Sequence, residues 1–299
     1  MSIESEEGAA GETASARPQA VTSEERNGHA ELLSLYDKLT LVLDGRVLVH
    51  AADGVALLTM NRPEKLNALD AAQIVALSNA LRWVRESSEV RTVVLTGNAQ
   101  SFSAGGDIAS FTTILGDEAL DFTQRGYDLL RPLEVGEKPI IAAVNGYCLA
   151  GGFELALACD MIIAGHSAVF GFGEVDLGLI PGWGGTVRLA RAIPIRLARQ
   201  WILTSQRLSA ETVRAAGAVN EVVEDAEVLA RAMQLAGQVA RQPVQAVKAA
   251  KLVIEHARNS DLDAALGLER TAAAALFNTE EVHRRVDAWN ARSVPREDS

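Results

Sequence analysis

Asn145-Gly146-Tyr147-Cys148-Leu149-Ala150-Gly151-Gly152-Phe153-Glu154-Leu155-Ala156-Leu157-Ala158-Cys159-Asp160 is the stretch on which the reading of the fold turns. It continues a short apolar run, Ile140 to Asn145, that reads as a buried strand ending in turn residues. Gly151 and Gly152 fall between that strand and an apolar helix, so bare N–H groups at the helix start can approach a ligand with no Cβ in the way. Glu154 then sits in the first helical turn. Two uses fit that placement: the acid offsets the positive end of the helix dipole, or it does chemistry beside the amides.

Two further segments of the same character flank it. Phe102-Ser103-Ala104-Gly105-Gly106-Asp107-Ile108 follows an apolar strand at 92–97 and offers a second Gly-rich turn. Two such turns suit an oxyanion hole, because an oxygen that becomes negative needs donors from two directions. A phosphate cradle is the competing use, but neither GxxxxGK nor GxGxxG is present. In Phe170-Gly171-Phe172-Gly173-Glu174-Val175-Asp176-Leu177-Gly178-Leu179-Ile180-Pro181-Gly182-Trp183-Gly184-Gly185-Thr186 the carboxylate of Glu174 stands among apolar residues and glycines. Desolvation there raises a carboxyl toward the range useful for proton transfer. Asp176 is an alternative acid, and a merely structural bond from Glu174 to local backbone is a third reading.

Outward from these pieces the chain divides into three. Residues 1–35 are rich in Glu, Ser, Ala and Gly with few large apolar side chains, which reads as a disordered acidic tail. Residues 36–204 carry the strand signals. Runs at 39–43, 47–51 and 55–60 are separated by Asp44-Gly45 and Asp53-Gly54, strong hairpin turns. Asp70 with Gln73 forms a capping box, and Ile74, Leu77, Leu81 and Val84 then recur at helical spacing over 70–86. Met161 to Ala164 reads as another buried strand. Residues 205–299 are mainly helical: after helical patterns at 195–204 and 209–216, Ala218 to Val223 is extended, and helices follow at 226–241, 243–258, 262–277 and 279–291. The class is α/β.

Composition narrows the function. With 39 acidic and 28 basic residues the formal charge is −11, a poor match to a phosphate backbone, so nucleic acid is not expected as a partner. Neither a basic leader nor an apolar run long enough to span a membrane is found, which points to a cytoplasmic protein. The two cysteines, Cys148 and Cys159, lie in apolar stretches and read as reduced, buried thiols. The 5 histidines form no HExxH and follow no GxSxG serine, so no metal site and no serine hydrolase is expected.

Taken together in this order and spacing, the three segments resemble the crotonase, or enoyl-CoA hydratase and isomerase, superfamily. The resemblance runs from about Leu39 to Arg292, beginning with Asn61-Arg62-Pro63-Glu64-Lys65-Leu66-Asn67-Ala68-Leu69 and continuing through Arg188-Leu189-Ala190-Arg191. It implies a crotonase (ClpP-like) spiral of ββα units whose C-terminal helices pack trimers, commonly paired into hexamers. It implies that the thioester carbonyl is held by the amides of Gly106 and Gly151. The Arg62 to Leu66 loop, including Lys65, and the turn comprising Ala104, Asp107, Ile108 and Ala109 would contact coenzyme A, which is part of the substrate rather than a cofactor. Glu154 and Glu174, twenty positions apart, match the two hydratase glutamates, the first activating water and the second protonating C2. The implied reaction is reversible syn hydration of a 2-trans-enoyl-CoA in lipid metabolism. The alternatives are isomerisation, action on a cyclic or branched acyl-CoA, a catalytically silent scaffold and an RNA binder. Three positions depart from the family pattern: Ala150 replaces the first glycine of a triple, Trp183 stands where a smaller residue is usual, and His283-Arg284-Arg285 replaces a stretch that often contains Gly.

Overall fold

The computed structural model describes residues 40–98, 100–111 and 114–293, so the expected acidic tail lies outside the described residues. The chain opens with three antiparallel strands, β1 (Thr40–Leu43), β2 (Val47–Ala52) and β3 (Val55–Met60). Their connections are the expected Asp-Gly turns, with φ of 52° and 67° at Asp44 and Gly45 and 50° and 83° at Asp53 and Gly54. Two successive left-handed residues match the twist of the flanking strands, which is why Asp-Gly is found there.

From β3 onward the chain winds as a spiral, and each turn supplies one strand to each of two sheets. The strands are β4 (Thr92–Thr96), β5 (Ser101–Ser103), β6 (Ile140–Val144), β7 (Tyr147–Leu149), β8 (Met161–Gly165), β9 (Val169–Gly171), β10 (Leu208–Ser209) and β11 (Glu221–Val223). The larger sheet has the order β1-β2-β3-β4-β6-β8-β11 and is parallel from β3 on; the smaller has the order β10-β9-β7-β5. Successive side chains of a strand point to opposite faces, and both faces of the larger sheet are covered. Val93, Leu95, Ala142 and Val144 face the main core, whereas Val94, Ile141, Ala143 and Ile163 pack on Val228, Ala232, Met233 and Ala236 of the helix Val228–Ala240. That double burial explains why β4 and β6 read as unbroken apolar runs.

The helix Ala71–Glu86 starts as expected, with the Asp70 carboxylate accepting from the Gln73 amide at 2.7 Å. The other half of the capping box is absent, because the Gln73 side chain donates to the Arg46 carbonyl at 3.2 Å. A helix with no counterpart in the sequence reading spans Asp117–Val135 and contains Gly126 and Pro132. The chain closes with helices Val244–Ala257, Leu262–Leu276 and Glu280–Ser293. Lys251 ties the first of these to the body: its buried ammonium donates to Asp160 at 2.6 Å and to the Leu133 carbonyl at 2.7 Å. Leu252, Ile254, Leu266 and Trp289 on the same helices are exposed, as is Phe277 just past the second.

Candidate active site

The second sheet positions the site, since β5, β7 and β9 each deliver a Gly-rich turn at their C-terminal ends. The turn after β5 is fixed by bonds from the Ala104 amide to the Leu66 carbonyl at 2.9 Å and from the Leu69 amide to the Gly105 carbonyl at 2.7 Å. Gly105 has φ +93°, and a Cβ on it would lie 2.6 Å from the Ala150 Cβ and 3.0 Å from the Gly151 nitrogen. The two turns therefore touch through bare backbone. A Cβ on Gly151 would in turn lie 3.5 Å from the Gly106 nitrogen, so the residues expected to share an oxygen are neighbours. Gly151 is the first residue of the helix Gly151–Leu157, and the helix itself offers no carbonyl to an amide at that position.

Ala150 carries a cost that the sequence does not announce. It caps the helix with φ 49° and ψ −125°, a conformation that a Cβ disfavours by about 1–3 kcal/mol. Its amide bonds the Gly171 carbonyl at 2.8 Å and its carbonyl receives the Glu154 amide at 3.0 Å, which hold it there. The donor position and its successor remain glycine as expected, yet the alanine before them is strained.

Glu154 does not fold back onto its own helix terminus. Its side chain, 2 % exposed, accepts from the amides of Trp183 at 2.8 Å and Gly185 at 2.7 Å, both on Oε1. Burial pushes its carboxyl up from the ordinary value, while those two amides and the nearby Arg188 guanidinium pull the other way. Glu174, in the turn after β9, is half-buried, and its Oε2 is fully buried with no hydrogen-bond partner. Burial and then the negative charge of Glu154 raise its carboxyl to about 7. Asp176, the alternative acid, is exposed. The two glutamates, twenty positions apart in sequence, thus lie within each other's electrostatic reach.

Arg188 holds the Trp183–Gly185 turn from behind. It donates to the Trp183 carbonyl at 2.6 Å and forks onto Glu134 at 2.7 and 2.9 Å, and Glu134 also receives Arg131 at 3.1 Å. The two Glu154-binding amides and the Arg188–Glu134 pair were not legible beforehand. Glu134 lies 54 positions from Arg188, on the unexpected helix, and no spacing signal links them.

The residues expected to bind coenzyme A form one patch, but Arg62 is already engaged. It donates to Asp107 at 3.0 Å and to the Ala68 carbonyl at 3.1 Å, and pairs with Asp70 at 3.2 Å, binding the 62–69 loop to the Gly106 turn. Lys65, Ile108 and Ala109 are exposed beside it, with Leu66, Ala104 and Asp107 half-buried. Cys148 and Cys159 are free thiols, the first buried and the second half-buried, and burial raises both. Among the described residues, no three His, Cys, Asp or Glu side chains gather as metal ligands, and no helix is long and apolar enough to cross a membrane.

Comparison with known proteins identifies the class to which this two-sheet spiral, with its paired Gly turns and paired acids, belongs. Residues 50–296 match the enoyl-CoA hydratase/isomerase family model, and the chain belongs to that family. It is 39% identical over 236 residues to the short-chain-enoyl-CoA hydratase of Clostridium acetobutylicum, covering 79% of this chain and 90% of that one. It is 36% identical to the 2,3-dehydroadipyl-CoA hydratase of Escherichia coli, covering 83% and 97% of the two chains. The crystal structure of an enoyl-CoA hydratase from Bacillus anthracis superimposes with a TM-score of 0.80 at 32% identity, covering 83% of this chain and 96% of that one.

Proposed function

We infer that the protein is an enoyl-CoA hydratase that adds water across the double bond of a 2-trans-enoyl-CoA to give the 3-hydroxyacyl-CoA, and the reverse. The single observation that carries this reading is a pair of carboxylates on adjoining Gly-rich turns, buried Glu154 held by two amides and Glu174 with a buried, unpartnered Oε2, together with the neighbouring Gly106 and Gly151 amides. Two amide donors favour the charged form of Glu154, and the unpartnered, buried Oε2 of Glu174 favours its protonated form. One proton shared by the pair therefore resides on Glu174. Glu154 takes a proton from water as the water oxygen bonds to C3, and Glu174 gives its proton to C2. The thioester oxygen, which turns enolate-like as C3 is attacked, is held by the amides of Gly106 and Gly151, the latter aided by its helix dipole. A pair of such donors contributes on the order of 10² to 10³ in rate for each donor, and acid–base catalysis about 10² to 10⁴.

Coenzyme A lies, on this reading, over the Lys65–Leu66 loop and the Ala104–Ala109 turn, with Arg62 and Asp107 acting mainly to bind the two loops together. The relatives named above support the reaction type. A cytoplasmic location and independence of any cofactor belong to the same proposal. So does assembly into trimers or paired trimers, supported by the exposed apolar side chains of the C-terminal helices; light scattering should then give three or six chain masses, and a monomer would remove it. The test of function is spectrophotometric. Hydration of crotonyl-CoA removes the conjugated thioester absorbance, and a protein that leaves it unchanged while shifting the double bond of a 3-enoyl-CoA would be an isomerase instead.

A further inference from the structure

The acyl chain beyond C3 must leave the site past whatever surrounds the two glycines. On one side stands a continuous aromatic arc. It begins at Phe111, whose Cζ lies 2.7 Å from where a Cβ of Gly106 would be. It passes to Phe122 with ring centroids 5.4 Å apart, and on to Trp183 at 5.2 Å. It ends where Cζ3 of Trp183 lies 2.8 Å from the Cβ position of Gly151. Both ends of the arc therefore rest on the two glycines assigned to the thioester oxygen.

Trp183 has nowhere to retreat. Its indole, 3 % exposed overall, lies flat on the helix Asp117–Val135 at Gly126, where a Cβ would fall 2.1 Å from Cδ1 and Nε1. Only glycine at 126 lets the ring sit this deep, and behind it is helix backbone. The backbone of residue 183 is pinned as well, its amide on Glu154 and its carbonyl on Arg188. A close-packed wall fixed on three sides admits extra methylenes only at the cost of strain.

We propose that Trp183, seated on Gly126 and backed by Phe122 and Phe111, is the specificity-determining wall of the acyl pocket and restricts the substrate to short-chain enoyl thioesters. This rests on the hydratase reading and adds the substrate class to it. The indole is the selective element because its edge reaches the residue next to the reacting carbons, while its own amide serves Glu154 independently of the side chain.

The test compares kcat/KM for crotonyl-CoA, 2-octenoyl-CoA and 2-decenoyl-CoA in the full-length wild type and in Trp183→Ala, with Trp183→Leu as a milder variant in case the first fails to fold. The 183 amide survives in both variants, so the Glu154 bond is kept. The wild type should favour crotonyl-CoA over 2-decenoyl-CoA by at least ~10²-fold, and removal of the indole should shrink that ratio by at least ~10-fold, a few methylenes' worth of discrimination. Gly126→Ala should push the ring the other way and lose 2-octenoyl-CoA before crotonyl-CoA; added to Trp183→Ala it should leave that variant's chain-length profile as it was. A wild type that hydrates all three thioesters comparably, or variants with an unaltered chain-length profile, would overturn the proposal and leave the hydratase reading standing. A wild type that hydrates none would overturn both.

Discussion

The titration of Glu174 offers the sharpest check on the chemistry. A carboxyl at about 7 is substantially protonated at neutral pH, whereas at its ordinary 4.5 it would be almost wholly ionised, so the site raises the supply of usable acid on the order of 10²-fold. Hydration consumes the protonated form; its kcat/KM should therefore fall about tenfold per pH unit above about pH 7. Dehydration starts from the same singly protonated pair with the proton on Glu154, and since the overall reaction exchanges no net proton its kcat/KM should fall along the same limb. Replacing Glu154 with Gln removes the negative charge that helps raise Glu174, so residual activity should show this limb displaced to lower pH. Replacing Glu174 with Gln should abolish the limb and cut both directions by at least ~10². Initial rates with crotonyl-CoA and 3-hydroxybutyryl-CoA, followed at the enoyl-thioester absorbance from about pH 5.5 to 9, would measure all of this. A hydration profile with no descending limb above pH 7, or a limb unmoved in the Glu154 variant, would refute the assignment of the shared proton.

Three other outcomes follow from the same geometry. Gly151→Ala puts a methyl 3.5 Å from the Gly106 nitrogen and 2.8 Å from the indole, and should lower kcat by ~10² or more while circular dichroism stays native; unchanged turnover would exclude this amide from thioester binding. Arg188→Met leaves Glu134 without its bidentate partner and frees the Trp183 carbonyl, so urea unfolding should show a loss of about 3 kcal/mol, and a neutral result would make the pair dispensable. Ala150→Gly releases a left-handed alanine and should stabilise the protein by about 1 kcal/mol; destabilisation would mean that the backbone there is not strained.

What was legible in the sequence follows the physics of burial. β4, β6 and β8 fall where the apolar runs at 92–97, 140–145 and 161–164 place them, because strands covered on both faces must be apolar throughout. The opening hairpins were readable from two Asp-Gly pairs, and the closing helices from their spacing. β5, β7 and β9 escaped, since three residues are too few to show alternation and glycines surround them. The helix Asp117–Val135 escaped for a different reason: Gly126 and Pro132 both argue against a helix locally, and packing overrides them. One of those breakers proves to be the seat of Trp183. Both glutamates stand out as acids among glycines and apolar residues, but their pairing comes from the resemblance to the family and not from the residues alone. Their hydrogen-bond partners could not be singled out, since the Trp183 and Gly185 amides belong to backbone and carry no residue code.

The strand order of the larger sheet, β1-β2-β3-β4-β6-β8-β11, never doubles back, so each strand joins the open edge left by an earlier one. A polypeptide emerging from the ribosome can lay down this layer in the order of its synthesis, without inserting a late segment between two already paired. Among the described strands β1 stays at one edge throughout, and growth proceeds from the other. Reactivity arrives by the same schedule: the first glycine turn after residue 105, the second together with Glu154, and the amide that completes the Glu154 cradle only when Gly185 has been added.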